Sequence, residues 1–140
     1  MTRLIMLAMV VVATVSAGCR TSGPPAPAPP LIGTSWRAEE IDGRGVLERV
    51  DSTLTFEGPR RIAGQAACNR YVGNAEFGEG TIRLEPAATT RMACRPGVED
   101  QERRFLAALG AASVFRQESG KLLLLDDGGR IRVRLTPRGS

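Results

Sequence analysis

The chain has 140 residues, 42% of them hydrophobic and 24% charged, and its formal net charge of +4 is carried almost wholly by arginine. That balance excludes wholesale disorder and a multi-span membrane protein, and the length leaves room for one domain. Histidine is absent, which removes the central residue of a Ser-His-Asp triad, a Cys-His pair, a histidine-ligated zinc or iron and a histidine-ligated haem.

In chain order, the first element is an export segment. Arg3, an apolar run from Leu4 to Val15 and the small residues Ser16, Ala17 and Gly18 have the three parts of a signal peptide. The run is shorter than the ~20 apolar residues that a membrane-spanning helix needs. Ser16-Ala17-Gly18-Cys19 resembles the lipobox of bacterial lipoproteins, in which the cysteine receives a thioether-linked diacylglycerol before cleavage. Residues 1–18 are thus expected to be removed, leaving Cys19 as the lipidated first residue. Arg20 stands where an aspartate would signal retention at the inner membrane, so the expected address is the outer membrane, facing the periplasm, in a host that has one. Thr21 to Pro30, TSGPPAPAPP, completes a lipid-bearing tether over residues 19–30. Its prolines lack an N–H and fix φ, which predicts an extended polyproline stalk.

Residues 31–140 form the expected folded domain. Apolar and polar residues alternate, with turn residues at short intervals, predicting antiparallel strands at 35–41, 52–57, 61–65, 81–85, 114–118, 121–125 and 130–135. In the last strand Ile131, Val133 and Leu135 alternate with Arg130, Arg132 and Arg134, so one face is buried and the other carries arginine. Ser119-Gly120 suits a tight hairpin, and Asp126-Asp127-Gly128-Gly129 a slightly longer one. The stretch from Asn69 to Gly80 reads as an exposed loop. Between Pro96 and Gly110, Val98, Phe105, Leu106 and Leu109 recur at helical spacing, predicting an amphipathic helix that covers one face of the sheet and stops at Gly110. The fold class is α+β, mostly antiparallel, with one principal packed helix.

With Cys19 lipidated, Cys68 and Cys94 remain as an even pair in an oxidising compartment. A bridge would close a loop of about 27 residues and contribute roughly 3 kcal/mol. Two buried free thiols, a redox pair or half of a metal site are the competing readings. The last two lack a CxxC and a histidine.

The surroundings of the cysteines carry more information. Gly64-Gln65-Ala66-Ala67-Cys68-Asn69-Arg70-Tyr71, then Thr89-Thr90-Arg91-Met92-Ala93-Cys94, then Glu102 with Phe105-Leu106 and Leu109, resemble the META domain, or HslJ-like, family. Gly33-Thr34-Ser35-Trp36 and Leu54-Thr55-Phe56 are similar to its earlier blocks, and the resemblance covers nearly all of Leu31 to Leu135. It implies a small mixed domain with a curved, mostly antiparallel sheet, open and barrel-like, and one packed helix, associated with heat shock, novobiocin resistance and envelope integrity, and no assigned reaction. Ala67 departs from the pattern, which usually has glycine there; were that position to need a positive φ, alanine would cost about 1 kcal/mol.

Asn69, Arg70, Arg91 and Glu102 form the candidate polar cluster. They are either a site in which arginines meet an anionic group, or a structural set in which Asn69 satisfies a turn and Arg91 pairs with Glu102. Glu102 falls on the predicted core face of the helix, where an unpaired charge is very costly. No catalytic residue, metal ligand or cofactor is expected. The arginines (Arg37, Arg49, Arg70, Arg83, Arg103, Arg132) are interleaved with Glu and Asp, the pattern of a solvated surface rather than a nucleic-acid stripe. The expected partners are the membrane, through the lipid, and an envelope protein or glycan, with the chain a monomer. The expected function is a non-catalytic, membrane-anchored envelope lipoprotein supporting envelope integrity or stress and antibiotic tolerance. The alternatives are a periplasmic inhibitor acting through the 69–80 loop, a module binding an anionic ligand, or an enzyme built on carboxylates such as Glu76, Glu79 and Glu85.

Overall fold

The computed structural model describes residues 31–139. The export segment, Cys19 and the tether lie outside the described residues. The elements are β1 (Ser35–Ile41), β2 (Arg44–Gly45), β3 (Thr53–Phe56), β4 (Arg61–Gln65), β5 (Arg70–Phe77), β6 (Ile82–Thr89), α1 (Pro96–Ala111), β7 (Val114–Glu118), β8 (Lys121–Leu125) and β9 (Ile131–Pro137). The strands form one sheet in the order β6-β5-β4-β3-β1-β9-β8-β7, with β2 paired to β1. All pairings are antiparallel.

Twist brings the two ends of this sheet together at one corner. Thr81 bridges Val114, the Ile82 amide donates to the Ser113 carbonyl at 3.0 Å, and that of Phe115 donates to the Gly80 carbonyl at 3.2 Å. The result is an open half-barrel, and α1 packs into its mouth against β6, β9 and β1. Leu54, Phe56, Ile62, Tyr71, Leu84, Leu122, Leu124, Val133 and Leu135 line the concave side, and Phe105, Ala108 and Leu109 of α1 close it.

Several short motifs owe their residues to this packing. Gly33 has φ 81° in the turn that precedes β1. The next residue, Thr34, donates its hydroxyl to the Leu31 carbonyl and accepts the indole N–H of Trp36 at 2.7 Å, so a core tryptophan keeps its polar atom paired. Within β1, Trp36 and Ala38 point inward and so does Ile41, an odd step made possible by a bulge between Ala38 and Glu40. In β9, Val133 and Leu135 are buried as the alternation predicts. Arg132 is neutralised by Asp42 at 2.5 Å. In the preceding turn the backbone N–H of Arg130, aided by its charge and that of Arg132, holds the Asp126 carboxyl below the usual carboxylate range.

Residues 70–77 correct the expected loop: they are β5, paired along its length with β4 and β6. The inward residues are Tyr71, Gly73, Ala75 and Phe77, and two of these are too small to give an apolar alternation. Glycine at 73 is required, because a Cβ there would overlap the Glu85 carbonyl oxygen across the pair. Gly73→Ala is expected to destabilise the domain by about 2 kcal/mol through forced backbone separation, read as a fall in the urea midpoint with the m-value unchanged. A stability equal to the native chain's would mean the strands can part there without cost. Two smaller corrections concern α1, which runs through Gly110 to Ala111, and Ala67, which is absent from the positive-φ residues and therefore carries no such strain.

Candidate functional site

The sequence block from Gly64 to Tyr71 turns the chain from β4 into β5, and its residues act in sequence on that turn. Gly64 leaves room for the Thr53 backbone carbonyl, which a Cβ would overlap, and for the Tyr71 ring opposite it, which that Cβ would approach to 3.0 Å. Tyr71 in turn donates its hydroxyl to the Thr53 carbonyl at 2.8 Å and packs edge-on to Phe105. Burial pushes its phenol far above the usual range, so it acts as a neutral donor. The Gln65 side chain donates to the Ala67 and Cys68 carbonyls at 3.2 and 2.9 Å, holding the turn's outward-facing oxygens.

The next two residues tie this turn to the segment between β6 and α1. Cys68 and Cys94 are bridged, 26 residues apart, with Cα atoms 6.1 Å apart, in the range an unstrained bridge takes. Beside the bridge lies Asn69, 5% exposed, and every donor and acceptor position of its amide is occupied. Its Oδ1 accepts the Met92 amide at 2.7 Å and the Thr90 hydroxyl at 2.9 Å. Its Nδ2 donates to Glu102 Oε1 at 2.8 Å and to the Met92 carbonyl at 3.4 Å.

Glu102, on α1, receives the turn from the other side. Its Oε2 accepts the backbone N–H groups of Asn69 at 2.7 Å and Cys68 at 3.1 Å. One carboxylate thus gathers three donors from two residues. This corrects the expected pairing: among the described residues Arg91 makes no ion pair with Glu102 or any other carboxylate, and it is exposed. The carboxylate is half-buried at the rim of the core, and converging amides satisfy it without a guanidinium. Arg70 enters only through its backbone, whose N–H donates to Thr90 Oγ1 at 3.0 Å and whose carbonyl accepts the Thr90 amide at 3.0 Å.

Two participants escaped the sequence reading. The Thr90 side chain is one, and nothing local distinguished it from Thr89. Gln101 is the other, fully buried on the helix face that the spacing assigned to apolar residues. Its Oε1 accepts the Leu47 amide at 2.7 Å, and its Nε2 donates to the Val50 carbonyl at 3.2 Å and to Ser52 Oγ at 3.1 Å. Gln101 therefore fastens the 46–52 loop to the helix, one residue from where Glu102 fastens the 67–69 turn.

Among the described residues no group of three or more His, Cys, Asp or Glu is arranged to hold a metal, and no helix is long and apolar enough to cross a membrane. The fold and this clamp define a small α+β half-barrel plugged by a single helix and stapled by a disulfide. The chain belongs to the META domain family, whose profile matches residues 29–138. It is similar to a protein from Burkholderia xenovorans known from an NMR structure, with 26% identity over 79% of this chain and 85% of that one and a TM-score of 0.60. A second NMR structure shares the fold at 19% identity, covering 76% of this chain and 90% of that one, also with a TM-score of 0.60. No curated protein matches the chain.

Proposed function

We propose that the chain is a non-catalytic META module of the bacterial cell envelope, anchored by lipid on Cys19, held off the outer membrane by its proline-rich tether, and supporting envelope integrity under stress or antibiotic challenge through contacts with an envelope protein or glycan. The observation that carries this reading is the occupancy of the Asn69–Glu102 clamp. Asn69 and Glu102 are engaged in joining turn, loop and helix, and the cysteines beside them are oxidised. This leaves that cluster without a free nucleophile or base, which supports a structural rather than a catalytic role. The inhibitor reading loses its loop, because residues 70–77 are a paired strand. A monomer fits the way both free edges are guarded: Pro86 sits in β6, and Arg116 and Glu118 stand along the short β7.

The test is the intact mass of the mature protein from its native membrane fraction, before and after reduction with thiol alkylation. The expected mass corresponds to cleavage before Cys19 plus acyl chains, with Cys68 and Cys94 alkylated only after reduction. An unlipidated soluble form would overturn the anchored reading.

A further inference from the structure

The helix covers the concave face of the sheet, and among the described residues no second layer covers the convex face. Exposed sheet faces ordinarily carry long polar side chains, but here a register row of small residues crosses five strands: Ser35, Thr55, Ala63, Val72 and Ala88. Val72, the fourth residue of the row, is 40% exposed. Two depressions meet at Val72, one of about 660 Å³ reaching Thr55, Ala63, Arg70 and Arg138, the other of about 500 Å³ reaching Arg61, Asn74 and Ala87. Thr55, Ala63 and Val72, the middle three residues of the row, therefore floor a trough running across β3, β4 and β5. Two inter-strand steps give this floor a length of about 10 Å, the span of roughly three residues of extended chain.

Charge selects the occupant. The carboxylates along the trough are already engaged, Glu57 by Arg61 at 2.9 Å and Asp51 by Arg37 at 3.9 Å. Arg70 and Arg138 make no ion pair among the described residues, and both line the larger depression. Two unengaged guanidinium groups beside a floor of methyl-sized side chains fit carboxylates carried on a chain with small side chains. A sugar polymer is the poorer fit, because saccharide rings stack on exposed aromatic faces, and Trp36 and Tyr71 are both turned into the core.

We propose that this trough is a binding site for an extended acidic peptide with small side chains, Arg70 and Arg138 receiving its carboxylates and Val72 with Ala63 packing against its methyl groups. The site does not depend on the lipid anchor, so it stands or falls apart from the reading above. The probe is a fluorescein-labelled Ala-Glu-Ala-Ala-Glu-Ala peptide, titrated with the purified protein and followed by anisotropy, with its Gln-for-Glu counterpart alongside. The glutamate peptide is expected to bind at least about tenfold more tightly than the glutamine peptide. The double variant Arg70→Gln/Arg138→Gln and the single variant Val72→Glu are each expected to weaken binding about tenfold or more. All three positions are exposed, and unchanged melting curves establish that the variants are folded. Arg44→Gln/Arg103→Gln, on exposed arginines of β2 and of the helix on the opposite face, should leave affinity within about twofold. Equal affinity for the two peptides, no binding at millimolar protein, or an equal loss in the control pair would overturn the proposal. So would an oligogalacturonide that binds more tightly than the peptide, which would give the trough to a glycan.

Discussion

Replacing Glu102 with alanine is expected to lower the stability of the domain by about 3 kcal/mol, as three donors lose a charged acceptor together. For a domain of this size that corresponds to a fall in melting temperature of roughly 10–20 °C. The amides of Cys68 and Asn69 and the Asn69 side chain all point at this one carboxylate, so water must enter the turn or the turn must re-form. Asn69→Asp should be at least as damaging, because it sets a second carboxylate against Glu102 Oε1 where an N–H now donates. Arg91→Ala, by contrast, should change stability by no more than about 0.5 kcal/mol, since that side chain is exposed and unpaired. Thermal melts of the three variants decide the matter. If Arg91→Ala fell as far as Glu102→Ala, the guanidinium would be the partner after all. A double-mutant cycle between Asn69→Ala and Glu102→Ala should show a coupling of at least about 1 kcal/mol, whereas independent roles would make the losses add.

The residues that were legible in the sequence are those whose signal is local and periodic. β1, β4, β7 and β8 match their expected limits, because each is a run of alternating or continuous apolar residues bounded by a turn. The helix was legible for the same reason, and so was its placement on one face of the sheet, whereas the sheet's curvature was implied by the family resemblance alone. What stayed hidden depends on partners far away in the chain. β5 exists because Gly73 and Ala75 let its neighbours approach closely, and a glycine in isolation reads as a turn. Gln101 looks like a surface residue until Leu47, Val50 and Ser52 are brought around it. Glu102 was identified as a carboxylate needing a partner, but its donors are backbone N–H groups, which carry no residue identity. Charge complementarity suggested Arg91, whereas geometry supplied Asn69.

Reduction of the Cys68–Cys94 bridge is the second large effect, and its form separates the two halves of the clamp. Releasing a cross-link between residues 26 apart should cost about 3 kcal/mol through the freed chain entropy of the unfolded state. The reduced domain is nonetheless expected to stay folded at 25 °C, because Asn69 still holds Met92 and Thr90 on one side and Glu102 on the other. Hydrogen exchange should therefore rise first at the amides of Asn69, Arg70 and Met92, with β8 (Lys121–Leu125) retaining protection up to the global limit. The Cys68→Ala/Cys94→Ala variant should reproduce this pattern in the absence of reductant. Combining it with Glu102→Ala removes both ties between the turn and its surroundings. The measured loss should then differ from the sum of the separate losses by at least about 0.5 kcal/mol, since the two ties constrain the same backbone. Exchange that rose uniformly across the sheet on reduction would instead make the disulfide a global staple and the hydrogen-bonded clamp subordinate to it.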